Sequence, residues 1–513
     1  MSTVGGPPRN QHRRGRTPDF LGHRRVGLAT PAGGSGCTGR WVAYDRAMPG
    51  TDGLDRAVAA MERVGVNAAA IGVFARSYRA LAAGETGLLA ESDLEPVESL
   101  PRLADLDPDP DPAALTATAV IKVNGGLGTS MGMDRAKSLL PVRDGKTFLD
   151  ITVTQVLAQR ERAGARLPLL FMDSFRTGPD TLAALQRYPE LAVSGLPADF
   201  RQSQEPKLRA DDLTPVSWPA DPGLEWCPPG HGDLYAALYA AGLLKTLRNK
   251  GFRYLFVANS DNLGAWPDPR LAAWFADSRR PFAAEYCQRT AADRKGGHLA
   301  RRRSDGRLVL RESAQTRPAD SAAFADVHRH RFFNCNNLWL DVDALAARLA
   351  DTDGVLGLPV IRNLKTVDPT DRNSPQVIQI ETAMGAAISV FDDAGAIEVD
   401  RSRFLPVKST SDLLVLRSDA YDMSEAGRVT LAAGLTTAPL VDLDPVYAPI
   451  HDFDQRFPAG PPSLRGTRQL TVRGDWTFGT GVAVQGTVTL GPQGSPGTVA
   501  DGARLGDDVQ DTP

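Results

Sequence analysis

Val120-Ile121-Lys122-Val123-Asn124-Gly125-Gly126-Leu127-Gly128-Thr129-Ser130-Met131-Gly132, followed after four residues by Lys137-Ser138, is the stretch that decides the fold. An apolar, β-branched run enters a cluster of glycines directly, which reads as a strand ending in a loop. Glycines let backbone amides approach a bound group closely and reach positive φ. A row of such N–H donors makes an anion-binding concavity of the kind a phosphate needs, and Lys137 stands where it could add a fixed positive charge. Two familiar phosphate loops fail on spacing. A P-loop needs lysine directly after its last glycine, but four residues separate Gly132 from Lys137. A dinucleotide fingerprint needs G-x-G-x-x-G, and after Gly126-x-Gly128 the next glycine, Gly132, comes one residue late. A short-chain dehydrogenase would also carry a Tyr-x-x-x-Lys pair, which this chain lacks. A tight structural turn remains the bland alternative.

Around this loop, residues 113–416 alternate short apolar runs (Ala119 to Ile121, Leu167 to Met172, Tyr254 to Ala258, Ile378 to Ile380) with helical stretches (Phe148 to Gln159, Leu234 to Thr246). Such alternation predicts an α/β fold, Rossmann-like, with a mixed, mainly parallel sheet. Ligands in such folds sit at the carboxyl ends of the strands. Residues 49–112 read as a helical lead-in. Leu54, Ala57, Val58, Met61 and Val64 recur at helical spacing, a second helix runs through Ile71, Phe74, Tyr78 and Leu81, and Gly84 caps it. An acidic, Pro-rich linker follows from Asp105 to Pro112.

Residues 1–48, with Arg9, Arg13, Arg14, Arg16, Arg24 and Arg25 among Gly and Pro, read as a disordered leader. A basic arm for nucleic acid or membrane and a translation start at Met48 are the other readings of that segment. Residues 417–513 differ again. Val472, Phe478, Val484 and Leu490 recur every six positions, Val482 and Val488 keep the same step, and Gly474, Gly479, Gly481 and Gly486 punctuate the run. A hexapeptide period with turn glycines predicts a C-terminal β-helix domain with a disordered tail, against a plain meander of hairpins.

A net charge of -3 argues against wholesale nucleic-acid binding. No apolar run is long enough for a membrane helix, and no h-region follows the N-terminal charges. The four cysteines, Cys37, Cys227, Cys287 and Cys335, are widely spaced and read as reduced thiols of a cytoplasmic protein.

Several polar clusters follow the glycine loop in order. Trp226-Cys-Pro-Pro-Gly230-His231-Gly-Asp-Leu-Tyr235 makes a rigid turn whose His231 can donate to an oxyanion. Phe256-Val-Ala-Asn259-Ser-Asp261-Asn262 is an apolar strand with oxygen ligands at its end, which suits magnesium or, equally, an Asx turn. Phe333-Asn334-Cys-Asn336-Asn337-Leu-Trp339 places Asn334 and Asn336 on one strand face by the period of two. Arg401-Ser-Arg-Phe-Leu-Pro-Val-Lys408 carries a lysine that is either a ligand contact or an ordinary surface charge.

Taken together, these segments resemble the eukaryotic-type UDP-glucose pyrophosphorylase family, within the nucleotidyltransferases that make sugar nucleotides. The resemblance runs from about Ile71 to about Leu505. It is nearly complete at Asn124–Gly132 and departs from the family at Arg135-Ala136, where Gly-Pro is usual, and at Asp173 and Arg176, where Asn is more common. What it implies is formation of UDP-glucose and pyrophosphate from UTP and glucose 1-phosphate, with magnesium. Gly125, Gly126, Leu127 and Gly128 would then cradle the nucleotide, with Met172, Gln202 and Gly230 toward the base and Asn259 on the nucleotide. Gly297, Glu312, Asn334 and Asn336 would face the sugar, Lys137, Lys408 and His231 would be catalytic, and Asp261 would hold the metal. The segment Gln379-Ile-Glu-Thr-Ala383 resembles a family helix start and reads as core packing. The partners implied are these small molecules, with no nucleic acid and no membrane, and a homo-oligomer is possible. Another sugar specificity, a non-catalytic sugar-nucleotide sensor and a nicotinamide dehydrogenase are the competing readings.

Overall fold

The structure is a computed structural model that describes residues 51–290, 293–491 and 496–506. The leader read over 1–48, Cys37 and the extreme C-terminal tail lie outside the described residues. Ten strands form the central sheet: β1 (Leu94–Pro96), β2 (Thr118–Asn124), β3 (Leu169–Asp173), β4 (Asp199–Arg201), β5 (Tyr254–Asn259), β6 (Phe282–Gln288), β7 (His298–Arg302), β8 (Leu308–Arg311), β9 (Phe332–Asp341) and β10 (Gly395–Glu398). Its path runs β1-β7-β9-β5-β2-β3-β4, with β6 beside β9 and β10, and β8 beside β7.

The pairings β5/β2, β2/β3, β3/β4 and β6/β10 are parallel. Those of β1/β7, β5/β9, β6/β9, β7/β8 and β7/β9 are antiparallel. The sheet is therefore evenly mixed rather than mainly parallel. The half after β5 is built from short returns such as β7 to β8, and a short connection permits only antiparallel neighbours.

Successive residues of the parallel strands alternate between two cores. Ala119, Ile121, Leu255 and Val257 pack with Leu234, Leu238, Leu243 and Leu247 on one face. On the other, Val120, Phe256 and Ala258 pack with Leu149, Val153, Leu271 and Phe275. Both faces are covered, which explains why these strands read as continuous apolar runs. The stretch read as one helix from Leu234 to Thr246 is two, Leu234–Ala240 and Leu243–Asn249, separated by Gly242 at φ 64°. In the lead-in, helices Thr51–Arg63 and Ala68–Ala82 bury Leu54, Ala57, Met61, Phe74 and Tyr78, and Gly84 at φ 81° follows the second helix.

The C-terminal strands are β11 (Leu440–Asp442), β12 (Ser463–Val472), β13 (Trp476–Phe478), β14 (Ala483–Leu490), β15 (Gly497–Val499) and β16 (Arg504–Leu505). Every pairing among them is parallel: β11/β12, β12/β14, β14/β16 and β13/β15. Val472, Phe478, Val482, Val484 and Val488 are buried, in one cluster with Met131, Leu140, Val142 and Phe148 from the segment after the glycine loop. Among the described residues no helix is long and apolar enough to cross a membrane.

Candidate active site

Parallel β2, β3 and β5 end at the same edge of the sheet, with Asn124 opposite Asp173 and Asn259 opposite Val123. Asn124 ties these ends together. Its Nδ2 donates to Asp173 Oδ1 (2.7 Å) and Thr181 Oγ1 (2.9 Å), and its Oδ1 accepts from Ser260 Oγ (2.9 Å). The glycine loop starts from this fixed point. None of Gly125, Gly126 and Gly128 takes a left-handed backbone; only Gly132 does, at φ 67°. Their absent side chains serve close approach instead. A Cβ on Gly125 would lie 2.2 Å from Gln202 Oε1, one on Gly128 2.5 Å from Met133 Sδ, and Gly126 faces open space. The loop closes through Lys137 N–H donating to Gly126 O (3.2 Å) and a bridge between Leu127 and Ala136.

Lys137 Nζ donates to Asp261 Oδ2 (2.7 Å) and to Val407 O. Asn262 Oδ1 accepts from Leu405 N–H (2.8 Å) while its Nδ2 donates to Arg403 O (3.1 Å), so the strap 401–408 is laid along the end of β5. A Cβ on Gly264 would meet Ser402 O at 2.3 Å, which explains the glycine there. Lys408 follows on this strap and is exposed, and its N–H donates to Asp412 Oδ2 (2.8 Å), beside the capping box of helix Thr410–Arg417. Burial raises the Glu312 carboxyl above its ordinary value, and the Lys408 charge draws it part of the way back.

Glu312 in turn sits against Gly297, where a Cβ would meet both carboxylate oxygens at 2.6 Å. Gly297 O accepts from Asn334 N–H (3.0 Å). The period-two expectation for Asn334 and Asn336 needs correction. The pairing of β6 with β9 slips between Glu285 and Tyr286, leaving a bulge at Cys335-Asn336, and Asn336 has φ 56°. A bulge re-aims side chains beside a site. Here Asn336 N–H donates to Asn334 Oδ1 (2.9 Å) and Asn336 Nδ2 to Asn259 Oδ1 (3.1 Å). Asn336 Oδ1 is buried without a partner.

On the other side, Gln202 Nε2 donates to Gly230 O (2.8 Å). Gly230 has φ 78°, and a Cβ there would lie 2.7 Å from Thr382 O. Gly230→Ala is expected to lower stability by about 1–3 kcal/mol, since a strained φ and a backbone clash coincide. Chemical denaturation reads this directly, and an unmoved midpoint would show that the turn relaxes. His231 Nδ1 accepts from Met384 N–H (2.9 Å), which puts the ring hydrogen on Nε2. Burial lowers its pKa to about 4, so the ring is a neutral N–H donor at neutral pH.

Thr382 to Met384 therefore form one wall of this turn, a role that core packing did not anticipate. After strand Gln376–Glu381 comes a 3-10 turn, Met384–Ser389, in place of the expected helix start. Its Gly385 lies against Asn334 and Asn336, at 3.3 and 3.6 Å from a Cβ position.

The predicted residues thus join into a ring. One arm runs Gly126, Lys137, Asp261, Val407-Lys408, Glu312, Gly297, Asn334, Asn336, Asn259. The other runs Gly125, Gln202, Gly230, His231 and returns through Gly385. Met172 stands apart: it is wholly buried between Val123 and Phe200, and its side chain presents nothing to the cleft. A cavity of about 520 Å³ lined by Leu106, Tyr254 and Trp274 holds none of these residues. Sequence reasoning missed the roles of the buried pair that anchors the strap, Arg403 and Glu285, and of Asn262 and Asn337. Arg403, Asn262 and Asn337 lie inside the polar segments read above, whereas Glu285 carried no signal there.

Among the described residues no group of three or more His, Cys, Asp or Glu is arranged to hold a metal. Two carboxylates border the ring, Glu312 on the side of Gly297 and Asp261 beside Lys137. Magnesium is ordinarily held by one or two carboxylates together with substrate phosphates, so this donor set fits a cation that arrives with a triphosphate.

The chain is similar to a UTP–glucose-1-phosphate uridylyltransferase of Solanum tuberosum, 39% identical over 414 residues, 80% of this chain and 84% of that one. A Musa acuminata protein of the same name is 38% identical over 78% of this chain and 84% of its own. Among solved structures, a variant of the Leishmania major UDP-glucose pyrophosphorylase in complex with UDP-glucose superposes with a TM-score of 0.84 at 43% identity, covering 89% of this chain and 98% of that one. A Trypanosoma brucei structure described as UDP-glucose phosphorylase gives 0.82 at 42%, covering 89% of this chain and 100% of its own. The sequence model of the family described as UTP–glucose-1-phosphate uridylyltransferase matches residues 74–485, and the chain belongs to that family of nucleotidyltransferases.

Proposed function

We propose that this chain joins UTP to glucose 1-phosphate, forming UDP-glucose and pyrophosphate by a single reversible displacement. The observation that carries this reading is the ring itself. Backbone amides after β2, two lysines, two carboxylates and a set of neutral amides gather around one edge of the sheet, as a triphosphate beside a sugar requires. The phosphate oxygen of glucose 1-phosphate attacks the α-phosphorus of UTP in line, and pyrophosphate leaves. No enzyme nucleophile is needed, because the attacking phosphate is already an anion, so catalysis reduces to positioning and charge neutralisation.

Gly125 to Gly128 would cradle the nucleotide, Gln202 and Gly230 would border the base, and Lys137 and Lys408 would offset triphosphate charge. His231 Nε2–H would donate to the incoming phosphate. Asn334, Asn336, Glu312 and Gly297 would receive the sugar hydroxyls, and the orphaned Asn336 Oδ1 gives a ready acceptor. Magnesium would be held by Asp261 and the phosphates, and when bound it supplies charge neutralisation there. Lys137 and Asp261 offset each other in this structure.

We also read residues 113–416 as the catalytic domain behind the 49–112 lead-in, and residues 417–513 as a β-helix domain. The parallel pairings support the latter: Leu470 lies opposite Val488 and Val472 opposite Leu490, a coil of three hexapeptides. Among the described residues β16 is the last strand of the coil, and we read its outer edge as a surface for self-association. The unpaired thiols of Cys227, Cys287 and Cys335 fit a cytoplasmic setting.

The test is pyrophosphate release from UTP with a panel of sugar 1-phosphates, with and without magnesium. Release with glucose 1-phosphate that needs the metal is the expected result. Preference for another sugar 1-phosphate would move the assignment within the family, and UDP-glucose binding without release would leave a sensor.

A further inference from the structure

We propose that Asp173 works as a neutral carboxylic acid whose proton positions the glycine loop, so that the chain takes up a proton when the nucleotide binds. This rests on the reading of that loop as the nucleotide cradle. Asp173 ends β3 opposite Asn124 and is almost fully buried, at 1% exposure.

Hydrogen counting carries the argument. Three groups lie on Asp173 Oδ1: Asn124 Nδ2 at 2.7 Å, Thr177 Oγ1 at 3.2 Å and Thr181 Oγ1 at 3.1 Å. A threonine hydroxyl has a single hydrogen. Thr181 Oγ1 lies 2.8 Å from Thr177 O, a carbonyl that can only accept, and its hydrogen is spent there. The contact between Thr181 Oγ1 and Asp173 then lacks a hydrogen unless Asp173 supplies it. With a proton on Oδ1 the network closes. The acid donates to Thr181 Oγ1, and Asn124 Nδ2 gives one hydrogen to Asp173 and the other to Thr181 Oγ1 at 2.9 Å.

The second carboxyl oxygen, Oδ2, is buried with no partner, a poor place for ionic charge. Burial, helped by Asp199 on the neighbouring strand, raises the carboxyl to about 6 against the pull of its side-chain hydrogen bonds. Arg201, the register partner on β4, offsets Asp199. From helix Gly178–Leu185 the charged group is Asp180, and from β2 it is Lys122, whose Nζ is engaged by Ala265 O.

Ionisation would set two hydrogen-less oxygens 3.1 Å apart beside Asn124, the residue from which Gly125 to Gly128 depart. The ordered loop and the protonated acid therefore favour each other, and by linkage a ligand that orders the loop raises proton occupancy.

The experiment uses the full chain and Asp173→Asn, whose amide can donate to Thr181 Oγ1 at every pH. UTP is titrated calorimetrically without sugar phosphate, in buffers of different ionisation heat, from pH 6 to 8. Proton release by UTP itself is common to both proteins and cancels in their difference. The wild type is expected to take up close to one more proton than Asp173→Asn at pH 7.5, as a group with a free-state value near 6 requires. Its UTP affinity is expected to fall relative to the variant by roughly thirtyfold from pH 6 to pH 8, the integral of that uptake. Equal uptake and parallel pH slopes overturn the proposal.

Thermal unfolding without ligand provides a second readout. The variant should gain on the wild type as pH rises from about 4 to about 6, the interval between the unfolded and folded values, and a gap that stays constant across that interval also counts against a neutral Asp173. If neither protein binds UTP, the reading of the site fails, while the unfolding comparison still decides the state of Asp173.

Discussion

Replacing Lys408 with alanine is expected to lower turnover by roughly 100-fold, about 3 kcal/mol of barrier, the usual loss for one preorganised charge contact. Folded stability should stay within about 0.5 kcal/mol, because the residue is an exposed lysine and such positions seldom matter to the fold. That contrast makes this lysine the cleaner of the two to test. Lys137 also holds Asp261 and Val407 O, so its loss would disturb the strap and the carboxylate together.

A second consequence concerns Glu312. Lys408 draws down a carboxyl that burial has raised. Without the lysine, Glu312 keeps its proton to higher pH. If the ionised form is the one that accepts sugar hydroxyls, the acid limb of the rate profile moves to higher pH in the variant. Turnover close to wild type in a steady-state assay would remove Lys408 from the mechanism.

The chemistry of the loop was legible because it is written in composition. Only glycines allow Gln202 to approach Gly125 and Met133 to approach Gly128, and a lysine conspicuous in sequence proved to be the one hydrogen-bonded back to Gly126. Strand direction was not legible. Periodicity reports which residues face a core, and Val120 and Ile121 obey it on either side of the sheet, but it is silent about neighbours. The antiparallel insertion of β9 between β5 and β6 therefore had no local signal.

The bulge at Asn336 escaped for a related reason. A strand read alone has a period of two, and only its partner reveals the extra residue. Met172 was assigned toward the base through the family resemblance alone, and its side chain lies on the core face of β3. The break at Gly242 was readable, since a glycine inside a helical pattern is a warning.

Arg403→Met is expected to destabilise the protein by about 3–5 kcal/mol, the cost of leaving one partner of a buried ion pair alone. Arg403 is 2% exposed and Glu285 is fully buried. The guanidinium donates Nε to Glu285 Oε2 (2.8 Å) and an Nη to Oε1 (2.7 Å), and its other Nη to Trp266 O (2.8 Å). Glu285 also accepts from Asn337 Nδ2 and Trp339 Nε1, each at 3.0 Å. Two neutral donors do not replace a cation in this interior.

Glu285→Gln in the Arg403→Met background should recover part of the loss at neutral pH, because no buried charge remains.

The same pair also fixes the strap that carries Lys408, since the guanidinium clamps residue 403 to Glu285 at two points, beside the backbone bonds that Arg403 O accepts from Asn262 and Asn337. The doubly substituted protein should therefore regain stability more fully than turnover: its side chains are matched again, but the two-point clamp on residue 403 is gone. Denaturation midpoints and turnover measured on the same three variants separate the two effects. Recovery of both in equal measure would show that the ion pair stabilises the fold without positioning Lys408.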